Sequence, residues 1–520
     1  MTLDDIGLYF QRDQTWWKYG AKAWVDYARR CQVLLQSGRP VADVAVFTGE
    51  ELPRRSVLPE RLVSVLPGIV GADVVQREAK RLVNKGQPLR QMPLTVSGAA
   101  NISNPEDWVD PLRGYKYDSY NKDALLRLST VRNARIELPG GASYGVLVIP
   151  GTQVMNPSGK QLSPEVANKL KELVDDGATV ILREKPELIP SVKGLPGLKG
   201  SETVERLWGD AAKITTGKLT VTGTKPGKGR IIRGPFMESS FSGLGIERDV
   251  VALEGKERAE GIAWTHRTAS GVDIYFISNQ QDRERIIDLS LRVQGRVPEL
   301  WDPVSGETAL ARSWKISAGR TQLTLRLPQN GSLFIVLQQP TKKAGEVKGS
   351  NWRTPLPVQK LEGSWSVLFD TSYGGPNKPI IFSALQDWSK HPDTSIRYFS
   401  GTATYLKEFN WNASPKGQRV WLDLGKIANV AHVRVNGLDC GTAWTAPYKV
   451  DITKAVRKGT NQLTIEVSNT WANRLKGDLR LAEGQKHTET TAPLRPLKTK
   501  NGEGLLEAGL LGPVVLQRGQ

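Results

Sequence analysis

Hydrophobic and polar positions alternate most regularly in the last quarter of the chain. In residues 431–436, Ala431, Val433 and Val435 share one face while His432, Arg434 and Asn436 share the other, the period of two that marks a strand. Asn436-Gly437 follows as a two-residue hairpin, because both positions tolerate positive φ. Leu463, Ile465 and Val467 resume the alternation after Gly459. This pattern predicts a β-sandwich over residues 362–520.

Earlier segments read differently. Ala23, Tyr27, Cys31, Leu34 and Leu35 recur at helical spacing, and Gly38 and Pro40 stop that helix, which is expected over residues 20–37. One helix cannot bury an apolar stripe alone, so it needs a partner. Residues 42–47 predict a short buried strand, and 50–92 are polar and broken by proline, with helical stretches near 74–82. Residues 114–128 read as a loop and then the start of a helix. Strands are expected at 134–138, 144–150 and 178–182. Between the last two lies an amphipathic helix over 162–176, with Ser163 as N-cap, Pro164 in the first turn and Gly177 past its end. Strand, helix, strand predicts a flavodoxin-like parallel α/β layer over residues 41–205. From 215 the pattern is all-β, with strands at 262–265, 272–278, 286–293, 321–327 and 332–337, giving a sandwich that ends at 339. A polar stretch, PTKKAGEVKG, opens an expected linker over 340–361.

At 520 residues the chain holds about three or four domains. Fifteen Trp against ten Phe is a high ratio, and the flat indole face suits sugar rings as well as cores. The net charge of +18 raises the question of nucleic acid, but the basic residues are interspersed with acids and no nucleic-acid-binding motif accompanies them. Cys31 and Cys440 are too far apart in sequence to suggest a disulfide framework or zinc site, and the four His are not spaced as metal ligands. No apolar run reaches the ~20 residues that span a bilayer. The opening MTLDDIGLYFQRDQTWW lacks the basic and apolar regions of a leader, which favours a chain that continues a longer polypeptide.

Most catalytic motifs fail on spacing. GTKPGKGR places Gly229, not Ser or Thr, after Lys228, so it is not a phosphate loop. No GxGxxG follows a strand, no cysteine lies between Cys31 and Cys440, and there is no GxSxG. Glycoside hydrolysis needs two carboxylates flanking the bond, held on a scaffold such as a (β/α)8 barrel of about 250 residues. Only residues 1–38 could belong to such a barrel. Asp13, in FQRDQTWW, is the best local candidate there for a carboxylate facing substrate, against the plainer reading of a turn or cap.

Several phrases together resemble one family: FQRDQTWW with AWVDYARRCQVLLQSGRPVADVAVFTGEE; DWVDPLRGYKYDSYN; IAWTHRTASGVDIYFISNQ; VPELWDPVSGE; and, near the end, VWLDLGKIANVAHVRVNGLDCGTAWTAPYKVDIT and KGTNQLTIEVSNTWANRLKGD. Their order resembles the C-terminal part of glycoside hydrolase family 106, the α-L-rhamnosidase-like enzymes. The last two phrases also resemble the sugar-binding jelly roll of family 2. The resemblance implies a catalytic barrel that comes first and carries the acids and a calcium ion. Residues 1–38 would be the barrel's remnant, followed by the α/β layer, a sandwich and a jelly roll. It implies a glycan partner, a periplasmic or secreted location, and little or no activity in this chain alone. No catalytic residue, cofactor or metal ligand can be assigned within it. Arg12, Asp13, Gln14, Trp16 and Trp17 would line the active-site rim. Asn436, Trp444, Asn469, Trp471, Asn473 and Arg474 would offer hydrogen bonds and aromatic faces to sugar from the jelly roll. A non-catalytic carbohydrate-binding or scaffold protein and a family 2-type β-glycosidase fragment remain as alternatives.

Overall fold

A computed structural model describes residues 15–50, 110, 112–152, 158–189, 199–209, 229–234, 238–412, 418–482, 484–489 and 504–519, with short strands at Thr2–Leu3, Leu8–Tyr9, Ala212–Thr215 and Lys218–Leu219. The described part is rich in β-sheet and built in several layers, and no sheet in it closes into a barrel.

Helix α1 (Trp17–Leu35) begins earlier than its apolar spacing suggests. Its stripe finds two partners. Cys31 packs with Ile274, Phe334 and Val336. The Tyr27 hydroxyl lies 3.0 Å from Ser332 Oγ, and Arg30 donates to the Pro303 and Val304 carbonyls at 3.0 Å. Toward its N-terminus the same helix lies on the C-terminal layer. A Cβ on Gly20 would sit 3.1 Å from Val430, so the bare glycine sets the approach of helix to strand. Gly38, at φ 59°, then turns the chain out of the helix region.

The parallel sheet runs in the order 218–219, 212–215, 230–233, 179–182, 146–149, 44–47, 117–120, with only the 218–219 edge antiparallel. Val44–Phe47, Val146–Ile149 and Thr179–Leu182 are buried at every position, as expected for strands covered on both faces. Ala45, Phe47, Leu147, Ile149, Val180 and Leu182 meet the helix Pro164–Asp175 through Val166, Leu170 and Leu173. Val46, Val148, Ile181 and Ile232 meet Leu112, Tyr115 and Phe241 on the other face. Ser163 caps the helix by accepting from the Val166 N–H.

Two expectations change here. Residues expected to form a loop contain the edge strand Tyr117–Tyr120, and the expected helix start is a single π-turn, Ala124–Leu128. The strand is polar because an edge needs little apolar surface. Tyr120, its one buried side chain, bonds to Ser129. The sheet also takes Ala212–Thr215 and Arg230–Arg233, so this layer runs past residue 205, where the sequence pattern ends it.

Two antiparallel six-stranded sheets form the next sandwich, one in the order 257–258, 250–254, 285–291, 320–327, 313–317, 345–347, the other 308–310, 296–301, 332–340, 272–279, 262–269, 39–40. Trp264, Tyr275, Ile277, Ile287, Leu289, Leu323, Leu325 and Leu337 fill the space between them. The expected linker does not behave as a free tether. Gly345–Val347 is an edge strand on Ser313–Ser317, and Leu356–Lys360 pairs with Val515–Arg518 in the next layer. The Asn351 amide fastens the turn between them: its oxygen accepts from the Arg312 and Ser313 N–H groups at 2.8 Å, and its NH2 donates to the Ser313 and Thr324 carbonyls at 2.6 and 3.0 Å. Polar composition marks these residues as exposed, which an edge strand also is.

The C-terminal layer sets a six-stranded sheet (380–382, 365–369, 402–411, 459–468, 430–435, 438–443) against a four-stranded one (356–360, 515–518, 420–423, 449–451). Trp365, Trp388 and Trp411 are in its core at 2% exposure or less, so these indoles serve packing. The hairpin at Asn436-Gly437 forms with φ 51° and 79°.

Candidate functional site

Arg12, Asp13 and Gln14 lie outside the described residues. The remaining candidates fall into three places.

The first is the seat of α1. Trp16 and Trp17, both half-buried, have ring centroids 6.4 Å apart at the start of the helix. The Thr15 hydroxyl beside them donates to the Asn469 carbonyl. One turn on, the Tyr19 ring stacks on His432 at 4.7 Å, and its hydroxyl donates to Glu466, which also takes Arg434 at 2.6 Å. Tyr27 then meets Trp444 edge-on at 5.2 Å. The helix therefore gathers Trp16, Trp17, Trp444 and Asn469 along one seam.

The second place is the 436 hairpin, where the amide proposed for sugar is already engaged. The Asn436 NH2 donates to the Ala455 carbonyl and to Asn461 Oδ1, both at 2.8 Å, while its oxygen accepts from the Gln462 N–H at 3.0 Å. Its amide is spent on holding two turns together. Asn469 and Asn473 are engaged in the same way. Asn469, 2% exposed, bridges the Gly401 N–H and the Phe399 carbonyl, each at 2.9 Å. Asn473 pairs with both backbone groups of Leu506 at 2.8 Å. An amide offers the same donor and acceptor as a peptide unit, so it serves as a backbone clamp.

The third place is a corner built around the short helix Ala472–Asp478. Trp471 meets Tyr373 edge-on at 5.4 Å. Arg474, 4% exposed, donates from Nη2 to the Tyr373 carbonyl at 3.2 Å, and its backbone N–H reaches Ser400 Oγ at 3.1 Å. Asp478, four residues on along the same helix face, accepts from the Thr488 N–H at 2.8 Å and from its hydroxyl at 2.5 Å, both on Oδ2. Among the described residues, two buried polar atoms here have no hydrogen-bond partner: Arg474 Nε and Asp478 Oδ1. Burial pushes the guanidinium of Arg474 below its usual range, and the charge of Asp478 pulls the other way. Gly374, at φ 75°, permits the close approach: a Cβ there would lie 3.3 Å from His487 Nδ1 and 3.4 Å from Arg474 Nη2. The corner thus offers a donor, a carboxylate acceptor and two aromatic rings. That set matches a polyol whose hydroxyls bond in pairs and whose C–H faces pack on rings. Tyr373, Gly374, Asp478 and His487 carry no periodic signal that would flag them in the sequence. Only the spacing of Arg474 and Asp478 within NRLKGD hints at a shared face.

Carboxylates also meet at His266, and this is a buried network. Asp249 Oδ2 lies 2.7 Å from Nδ1 and Asp273 Oδ1 3.1 Å from Nε2, while Tyr275 stacks at 4.0 Å and donates to Asp249 at 2.8 Å. Burial pushes the imidazole pKa down, but the two carboxylates outweigh it and hold the pKa above its ordinary value. Among the described residues no group of three or more His, Cys, Asp or Glu could hold a metal ion. No described helix is long and apolar enough to cross a membrane.

Comparison with known proteins specifies the class to which this sheet-rich, two-sandwich chain belongs. The family model described as alpha-L-rhamnosidase matches residues 1–86 and 99–316, and the chain belongs to that family, glycoside hydrolase family 106. Residues 387–500 match the glycosyl hydrolase 2 galactose-binding domain-like model. The solved rhamnosidase of Novosphingobium sp. PP1Y is 32% identical with a TM-score of 0.74, covering 99% of this chain and 42% of that one. A Formosa agariphila protein bearing the name "Putative beta-glucuronidase" is 23% identical over 99% of this chain and 58% of its own length. The chain therefore spans 42% and 58% of the length of these two relatives.

Proposed function

We propose that the chain is the accessory-domain portion of a glycoside hydrolase that cleaves α-L-rhamnosyl linkages in glycans, and that it does not turn over substrate by itself. In this reading residues 1–38 are the end of a catalytic barrel, residues 41–205 begin a flavodoxin-like layer, and residues 362–520 are a jelly roll. The carboxylate pair and any calcium ion belong to barrel residues outside those described, and the enzyme is periplasmic or secreted.

The observation that carries the reading is family membership in a chain that spans only 42% of the solved rhamnosidase. Helix α1 supports it. One side is seated on two β-layers, yet Val25 and Val33 are 49% and 63% exposed, an apolar surface suited to a neighbouring element of a barrel. The corner at Trp471 and Arg474 is then the place where the last layer meets glycan.

An aryl α-L-rhamnoside assay tests the proposal. Residues 1–520 are expected to release no aryl alcohol above buffer, while the full gene product does. Robust turnover by residues 1–520 would show that both acids lie within this chain. Cleavage of an aryl β-galactoside in place of the rhamnoside by the full gene product would move the assignment to a family 2-type enzyme.

A further inference from the structure

The sandwich sheet that includes Arg285–Leu291 and Arg320–Leu327 carries a second feature on its outer face, an open groove of about 440 Å³. Helix α1 covers the outer face of the opposite sheet, through Ile274, Phe334 and Val336. The groove is therefore on the side of the sandwich that α1 leaves bare.

Strand register arranges its floor. Val251 pairs with Ser290, Ser290 with Gln322, and Gln322 with Lys315, so four side chains line up across four neighbouring strands. A second row beside it runs Leu253, Asp288, Thr324. Strands lie about 4.8 Å apart, so the first row is about 14 Å long and crosses the strands at right angles. Each row starts on an aliphatic side chain and continues through polar ones. The polar groups are held in place: Thr324 Oγ1 donates to Asp288 Oδ1 at 2.5 Å, and Arg320 Nε donates to Ser290 Oγ at 2.8 Å. Ser290 then keeps its own proton to donate, and Asp288 keeps an oxygen to accept. Among the described residues, the Gln322 amide and the Lys315 ammonium make no side-chain hydrogen bond. At the far edge Val347 is 83% exposed.

We infer that this groove binds a neutral oligosaccharide chain lying across the strands, at a site separate from the Trp471 corner. The inference rests on the reading that the protein acts on glycans. The floor presents hydroxyl, amide, carboxylate and ammonium groups in sequence, each able to bond a sugar hydroxyl, with aliphatic side chains at the ends to meet C–H surface. A polyanion is disfavoured, because the Asp288 carboxylate offsets the Lys315 ammonium and the Arg320 guanidinium beside Ser290 is already taken up by the Arg248, Asp249 and Ser290 carbonyls. An apolar peptide face would leave the polar floor unpaired, which costs free energy.

The test is calorimetric titration of the whole chain with neutral xylo-, cello-, galacto- and rhamno-oligosaccharides of four to six units. Wild type, Gln322→Ala, Asp288→Ala and Arg474→Ala are compared, with melting temperatures as a folding control. The expected result is binding of at least one probe, weakened tenfold or more by each groove substitution at unchanged melting temperature. No binding of any probe would overturn the groove site, as would binding that only Arg474→Ala removes, and either leaves the rhamnosidase reading to its own hydrolysis assay. Binding of polygalacturonate that disappears at high salt, with no binding of the neutral probes, would also overturn it. So would a second copy of the chain occupying the groove, seen as a dimer that Val347→Asp dissociates.

Discussion

Replacing His266 with Gln removes the central charge of a buried network whose two neighbours stay ionised. Asp249 is 2% exposed and flanks one ring nitrogen, while Asp273 flanks the other. Because both nitrogens face carboxylates, both carry protons in the folded protein. The charged groups around the ring come from several elements: Tyr275 and Asp273 from one strand, Arg292 beyond the next, Arg296 on Asp273, and Arg320 donating to the Asp249 carbonyl. Arg292 also joins Asp43 of the parallel-sheet layer, so the network ties two layers together. Breaking a buried pair by removing one member costs about 3–5 kcal/mol. The pH dependence has a definite sign. The imidazole pKa is raised, so its stabilisation is complete below its unfolded value near 6.5 and is lost as the pH climbs through the folded value. The Asp249 and Asp273 pKa values are lowered, the imidazolium acting against burial, so their share is complete above about 3.9 and is lost as the pH falls through the folded values. The advantage of wild type over His266→Gln is therefore largest between about pH 4 and 6.5 and shrinks on the alkaline side. A multidomain chain need not unfold in one step, so hydrogen exchange of Ile262–Ala269 and Val272–Asn279 is the proper readout. A difference that stays constant from pH 5 to 10, or is below about 1 kcal/mol at pH 5.5, would refute the doubly protonated ring.

Asn436→Ala loses three hydrogen bonds and a residue that tolerates φ 51°, so a drop of about 2–4 kcal/mol in local stability is expected by hydrogen exchange of Val430–Val435 and Gly459–Ser468, with oligosaccharide affinity unchanged. Gly20→Leu forces side-chain atoms into Val430 and is expected to cost about 1–3 kcal/mol and to open α1 to limited proteolysis. Gly509→Ala places a Cβ 2.5 Å from the Trp388 ring at φ 106°, and its melting temperature should fall well below that of a surface control such as Gly459→Ala, which meets nothing within 4 Å at φ 92°. Arg474→Ala is expected to weaken binding of rhamnose itself at least tenfold in calorimetry, and an unchanged affinity would remove the corner from the sugar-contacting surface.

The sequence showed its local structure well and its pairings poorly. The helix Pro164–Asp175 was legible because Ser163 and Pro164 mark its start and its apolar residues keep one period. The 436 hairpin was legible because two adjacent residues must both take positive φ. Tyr117–Tyr120 and Gly345–Val347 were not, because an edge strand borrows its hydrogen bonds from a neighbour and needs few apolar side chains of its own. The candidate site followed the same division. Residue type drew attention to Asn436, Asn469 and Asn473 as sugar contacts, yet an amide satisfies a peptide group as readily as a hydroxyl, and each of these three sits where loop backbone lacks a regular partner. Arg474 differs because its Nε stays buried and, among the described residues, meets no acceptor. A buried donor left unpaired costs about 1–3 kcal/mol, and a chain that carries that cost beside two aromatic rings is one in which a ligand oxygen can supply the missing bond. The position of an unsatisfied atom, which only the fold reveals, therefore sets Arg474 apart from its neighbours of similar chemistry.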